Sequence, residues 1–282
     1  MKSEIRDLHE EFRDGQISRR EYLRRMAVLT GSAAAVLVIH PDDEVRADII
    51  DKNDPRLETR SITYPTPNGQ MMAYVARPKG EDPLPAVIVI HENRGLNDHI
   101  RDVTRRMALE GFLALAPDGN SPTGGTPDDP DKARDQLAAI DSEVSAVNFT
   151  AAAAYLKTHP QSTGKVGCTG FCWGGAMTNQ VAVRAPELDA AVPYYGRQPA
   201  AEDVAKIKAD LMCHYAGEDE RINAGIPAFE EALKKAGIEY QIFIYDGAYH
   251  AFNNDTGQRY DEAAAKLAWQ RTVVFFNEKL KA

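Results

Sequence analysis

The chain reads as an α/β protein built on one mostly parallel, twisted sheet with helices on both faces. Three observations point there. From residue 60 onward, short apolar runs alternate with helix-patterned segments, the order that yields parallel strands joined by crossover helices. One run, residues 86–90, is apolar throughout, as a fully buried strand requires. A strand-like lead-in at residues 166–169 also turns through Gly170-Phe171-Cys172-Trp173-Gly174 into a helix-compatible run at 176–185.

The 282 residues suffice for one large α/β domain plus an extension. A formal net charge of −9 argues against a nucleic-acid surface, which needs a clustered basic face. Cys168, Cys172 and Cys213 form no disulfide framework, and no Cys/His spacing suits zinc, so neither metal nor cofactor is expected. A site drawing on His91, His214 and His250 would need ligands from three strands without supporting spacing. No run of 18 apolar residues occurs, so stable membrane insertion is not expected.

Taken in order, residues 1–54 form an N-terminal extension and 55–282 the folded domain. Residues 3–12 are charged and helix-patterned, and Gly15 breaks them. Ser18-Arg19-Arg20-Glu21-Tyr22-Leu23 then leads into a mildly apolar, Ala-rich stretch at 26–39. This resembles a twin-arginine export signal, which implies an exported, periplasmic protein cut between about residues 36 and 48. The alternative is a cytoplasmic chain whose extension is a structural helical arm. Residues 42–60, polar and acidic, read as the linker.

Residues 62–64 and 71–76, joined across Pro67-Asn68-Gly69, predict a β-hairpin. The strand at 86–90 follows, then His91-Glu92-Asn93-Arg94-Gly95 and a helix over 98–110. A strand at 112–116 comes next, then a polar loop and one long helix over 132–157. After the Cys172 turn come strands at 190–195 and 211–216, a helix at 227–236, a strand at 240–245 and a helix at 260–280.

Gly-x-nucleophile-x-Gly between strand and helix is the nucleophile elbow of the α/β-hydrolase fold, here with cysteine in place of serine. The helix N-terminus behind Cys172 favours a thiolate. Ligands on such sheets gather at the carboxyl ends of strands. There the strand at 211–216 runs into Glu218 and Asp219, and the strand at 240–245 leads to His250. The chain order nucleophile, acid, histidine is the one this fold uses. His250 would take the thiol proton, and Asp219, preferred to its neighbour Glu218, would hold the imidazole. The loop after residues 86–90 supplies a backbone N–H at Asn93, which with that of Trp173 would form an oxyanion hole. Glu92 beside it is an unusual carboxylate, since it repels developing negative charge.

With these residues in place, the chain resembles the dienelactone hydrolases, thiol hydrolases of the α/β-hydrolase fold. The likeness runs through residues 91–95, Ala116-Pro117-Asp118, residues 167–175, Pro193-Tyr194-Tyr195-Gly196, Gly217-Glu218-Asp219 and His250-Ala251-Phe252. It implies a Cys172, Asp219, His250 triad, with Glu92 helping to deprotonate the thiol when an anionic substrate enters. The family opens an unsaturated lactone bearing a carboxylate. Arg94, Arg197 and Arg221, next to the matching segments, are candidates for reading such a group, and Tyr195 for lining the pocket. The expected activity is hydrolysis of a small ester or lactone through a Cys172 thioester. An acyltransferase or peptidase on the same scaffold, or a non-catalytic thiol-based binding or redox protein, are the alternatives. A homo-oligomer is compatible with all of them.

Overall fold

The computed structural model describes residues 50–281, together with Glu11. The twin-arginine head and the apolar stretch at 26–39 lie outside the described residues. Eight strands form one sheet in the order β1-β2-β4-β3-β5-β6-β7-β8. They are β1 Leu57–Thr66, β2 Gly69–Pro78, β3 Leu84–Ile90, β4 Leu113–Pro117, β5 Ser162–Phe171, β6 Ala190–Tyr194, β7 Asp210–Ala216 and β8 Tyr240–Tyr245. β2 runs antiparallel to both its neighbours, and β4 through β8 are parallel.

The hairpin forms as expected but closes one residue early. Thr66 pairs with Gly69, so Pro67 and Asn68 alone make the loop and Gly69 opens β2. The helices are α1 Asp98–Leu109, α2 Pro130–Ala139, α3 Ser142–Lys157, α4 Trp173–Arg184, α5 Glu220–Asn223, α6 Ile226–Ala236 and α7 Glu262–Leu280. Two departures from the sequence reading stand out. The long helix over 132–157 is two helices, because Ile140 is extended and Asp141 caps α3 by accepting from Glu143 N and Val144 N. The elbow helix starts three residues early, at Trp173, directly after the nucleophile candidate.

The sheet separates two apolar layers. In β3, Ala86, Ile88 and Ile90 face one layer, with Phe149 and Leu156 of α3 and Val181 of α4. Val87 and Val89 face the other, with Ile100 and Met107 of α1 and Phe276 of α7. Strand side chains alternate between faces, and here both faces are covered, so the strand is apolar at every position. Burial of this kind supplies most of the driving force for folding, at roughly 25 cal/mol per Å² of apolar surface. Its consequence for function is positional. The carboxyl ends of β3, β5, β7 and β8 lie along one edge of a rigid sheet.

The Asp141 cap is exposed and makes no contact with the cleft described below, so it tests the helix break alone. Asp141→Ala should cost about 1 kcal/mol. A drop in Tm of roughly 2–4 °C with unchanged activity is the expected result.

Candidate active site

The elbow is shaped by backbone crowding. A Cβ at Gly170 would lie 2.3 Å from Gly174 O, and one at Gly174 would lie 2.5 Å from Ile90 O. Both neighbours are main chain and cannot give way, so only glycine fits on either side of Cys172. Gly175 and Gly196 meet in the same way: a Cβ on Gly175 would sit 2.3 Å from Tyr194 O, and one on Gly196 2.1 Å from Gly175 C. Between them Cys172 is held at φ 57°, ψ −113°, with its N–H donating to Tyr194 O at 3.1 Å. A non-glycine residue so placed carries strain of order 1–3 kcal/mol. The surrounding contacts fix it with Sγ above the N-terminus of α4.

Across the sheet edge, His250 Nδ1 lies 2.5 Å from Asp219 Oδ2. Asp219 is buried, whereas the rival Glu218 points to solvent. A carboxylate only accepts, so Nδ1 carries a hydrogen and the neutral ring presents its Nε2 lone pair on the other side. The His250 ring packs against Tyr195 at 5.1 Å between centroids. Cys172 and His250 line one cleft of about 840 Å³ together with Glu92, Asn93, Arg94 and Arg221. Among the described residues, no hydrogen bond joins Cys172 Sγ to His250.

Other expectations fall differently. Arg197 is exposed and not among the residues lining the cleft. Tyr195 is fully buried beneath the cleft rather than on its wall. The Trp173 ring stacks on His91 at 5.4 Å and meets Phe149 edge-on, so its half-buried indole packs against the core while its backbone N–H serves the elbow. His91 Nε2 accepts from Gly119 N at 2.8 Å and its Nδ1 donates to Glu92 O at 2.6 Å, which commits the ring to holding the β3 loop. Asn93 N–H makes no hydrogen bond among the described residues.

Several cleft residues were not read from the sequence. Asn254 donates to Glu92 Oε2 at 2.7 Å, while Oε1 is buried with no hydrogen-bond partner among the described residues. Arg134 and Arg259 also line the cleft. Arg94 lies 3.8 Å from Asp131, and Arg134 pairs with Asp131 and Asp135. Arg221 and Arg259 make no ion pair among the described residues, and both act on the thiol. No motif marked Asn254 or Arg259, because a polar loop reads alike whichever way it points. A second depression, of about 530 Å³, lies against α3 and is lined by Pro65, Ala151 and Tyr155, away from these groups.

The thiol itself departs from expectation. Burial and the Glu92 charge push Cys172 up to about 11, outweighing the Trp173 N–H, Arg221 and Arg259, which pull it down. The helix terminus does favour the thiolate, but desolvation and a like charge win. Their balance favours the thiol over the thiolate. Burial pushes Cys168 and Cys213 up to about 12, and both are wholly enclosed, so Cys172 is the accessible sulfur of the three.

A strained cysteine elbow, an Asp–His pair and a cleft at the carboxyl edge of a parallel sheet define an α/β-hydrolase. Residues 71–280 match the model of the dienelactone hydrolase family. The chain is 35% identical over 258 residues to a protein of Saccharolobus solfataricus named "Putative carboxymethylenebutenolidase", covering 79% of this chain and 99% of that one. It is 34% identical over 264 residues to one of the same name from Escherichia coli, covering 87% and 92%. Among solved structures, "Putative Dienelactone Hydrolase" from Klebsiella pneumoniae superposes with a TM-score of 0.72 at 30% identity, over 79% of this chain and 99% of that one. The chain belongs to the dienelactone hydrolase family. It is a hydrolase of ester or lactone bonds, acting on small molecules.

Thiolate, not thiol, reacts with alkylating agents. Because burial and Glu92 push the Cys172 thiol up to about 11, its alkylation by iodoacetamide should climb steadily as pH rises from about 7 to about 10. Rate against pH, followed by peptide mapping, checks this. A plateau near pH 8 would mean that burial and Glu92 do not govern the thiol.

Proposed function

We propose that the chain hydrolyses an anionic ester or lactone through a thioester on Cys172. The observation that carries this reading is the His250–Asp219 pair at 2.5 Å, with His250 lining the same cleft as an elbow cysteine. His250 Nε2 takes the thiol proton as sulfur attacks the carbonyl carbon, and Asp219 stabilises the imidazolium. Asn93 N–H and Trp173 N–H receive the oxyanion. The imidazolium then returns its proton to the leaving alkoxide as the carbon–oxygen bond breaks. In the second half, His250 takes a proton from water, which attacks the thioester and releases acid and thiol.

The raised thiol gives this scheme a gate. Burial and the Glu92 charge favour the protonated Cys172 at rest, which spares it from adventitious alkylation and oxidation. An anionic substrate bound by Arg221 and Arg259, which make no ion pair among the described residues, would displace water from the cleft and shift the balance of charge around Glu92, so that this carboxylate helps His250 to take the thiol proton. Arg94, tied loosely to Asp131, is the third reader of negative charge. We further propose that residues 1–54 direct export, with Arg19 and Arg20 as the recognised pair.

Cys172→Ala should lower kcat/KM for a chromogenic ester by about a thousandfold or more. An acyl adduct mapped to Cys172 by mass spectrometry should vanish with it; full activity in the variant would end the thioester reading. Acyl groups passed to an added alcohol in preference to water would point to a transferase instead. Arg221→Gln and Arg259→Gln should each lower the anionic-to-neutral ratio of kcat/KM by roughly tenfold or more, since charge-assisted bonds contribute about 1.5–3 kcal/mol. An unchanged ratio would assign the charge preference elsewhere. For export, Arg19→Lys with Arg20→Lys should leave uncleaved protein in the cytoplasm. Finding the unmodified chain there, intact from Met1, would make the extension a structural arm.

A further inference from the structure

Helix α1 and the loop after His250 are tied together by a line of charged groups that the proposed chemistry does not use. Asp255 accepts from Arg106 Nη2 at 2.5 Å and lies 3.1 Å from His99 Nδ1. Arg106 also pairs with Asp102 one turn back on α1, and Asp102 Oδ1 takes the Ile50 N–H at 2.5 Å. These side chains are nearly dry, at 11% exposure for Arg106, 12% for Asp255 and 4% for His99. Ion pairs so enclosed are costly to break, because removing one partner strands a desolvated charge. Asp255 accordingly stays ionised: burial raises it, but the neighbouring His99 ring and the Arg106 hydrogen bond outweigh that and hold it at about 2.

The loop fixed by this clamp carries Asn254. Its Oδ1 accepts from Thr256 N at 3.0 Å and from Thr256 Oγ1 at 2.7 Å. With both donors on that side, the amide must turn its NH₂ to Glu92 Oε2, and a flipped amide would set a carbonyl against the carboxylate. Asn254 is the hydrogen-bond partner of the Glu92 side chain among the described residues, and Asp255 is the next residue along. A charge anchored on α1 is thereby transmitted, through one residue of loop, to the carboxylate beside the thiol.

We infer that Asp255, clamped by Arg106 and His99, is a positioning residue for Glu92, acting through Asn254. The inference rests on the reading above in which Glu92 acts on Cys172. The thiol faces Glu92, His250, Tyr195, Arg221 and Arg259; of these Glu92 is hydrogen-bonded by Asn254, next to the clamp, and Arg259 lies four residues beyond Asp255 on the same loop. Asp255 for its part faces His99, Arg106 and Tyr260. Loosening the clamp lets Glu92 turn toward the cleft arginines, which removes a like charge from the thiol and lets it ionise at lower pH.

The test uses the full chain and compares wild type, Glu92→Gln, Asp255→Asn and the double variant. The pH profile of Cys172 alkylation is measured beside kcat/KM for a chromogenic ester. Glu92→Gln should move the profile to lower pH by roughly one unit, the shift expected from one nearby like charge. Asp255→Asn should move it the same way and lower kcat/KM, and should add no further shift in the Glu92→Gln background. A folded Asp255→Asn protein with the wild-type profile overturns the inference, as does a shift that adds fully to that of Glu92→Gln. A profile unmoved by Glu92→Gln itself removes the Glu92 reading, and the inference with it, which the single variant reports separately. Should Asp255→Asn fail to fold, Thr256→Val on the exposed part of the loop removes one of the two donors that orient Asn254. It should shift the profile in the same direction, and a wild-type profile there counts against the proposal.

Discussion

Main-chain atoms in contact at the elbow are the constraint on which the rest of the site depends. Gly174 lies against the carbonyls of Ile90 and His91, and Gly175 lies against Tyr194 and Gly196. β3, β5 and β6 are thereby locked together at their carboxyl ends with no side chain between them. That closeness holds Cys172 in its strained conformation and sets the β3 loop, with Glu92 and Asn93, beside the sulfur. Separating these strands by the width of one methyl group would move the loop relative to the thiol.

Below the elbow, a buried polar network ties β6, β7, β8 and α7 together. Arg271 donates to the Tyr245 hydroxyl at 3.2 Å, so that hydroxyl donates to His214 Nδ1 at 2.9 Å. His214 Nε2 then donates to Thr272 Oγ1 at 3.1 Å, which also accepts from Tyr194 at 2.6 Å and passes its own hydrogen to Ala268 O. Burial and Arg271 hold His214 neutral, well below the usual histidine range. The Arg271 cation lies 4.0 Å over the Phe243 ring. A buried chain of hydrogen bonds running in one direction rigidifies what it touches. What it touches is Tyr194, whose carbonyl receives the Cys172 N–H.

Charge is distributed against the overall balance. The chain carries −9, yet its cleft is lined by Arg94, Arg134, Arg221 and Arg259, with Glu92 as the carboxylate nearest the sulfur. A cleft with low-dielectric walls concentrates such a local field whatever the net charge outside it. The thiol sits between the two signs, and its ionisation follows from which of them is closer and how much water is excluded.

The sequence by itself determined the strands, the elbow and the order of Cys172, Asp219 and His250. Alternation, continuous apolar runs and glycine spacing are local consequences of backbone geometry, and they survive without knowledge of the neighbours. The break at Ile140–Asp141 was also written locally, as an aspartate before Ser142 and Glu143, but helix-compatible residues on both sides of it masked the cap. Tertiary structure alone decided the rest. Asn254 meets Glu92 across 162 positions of chain, and Asp255 meets Arg106 across 149. Arg197 lies off the cleft and Arg259 on it for reasons no spacing rule contains. The ionisation of Cys172 was undetermined for the same reason: desolvation and Coulomb interactions depend on distances between groups brought together only when the sheet and its loops are assembled.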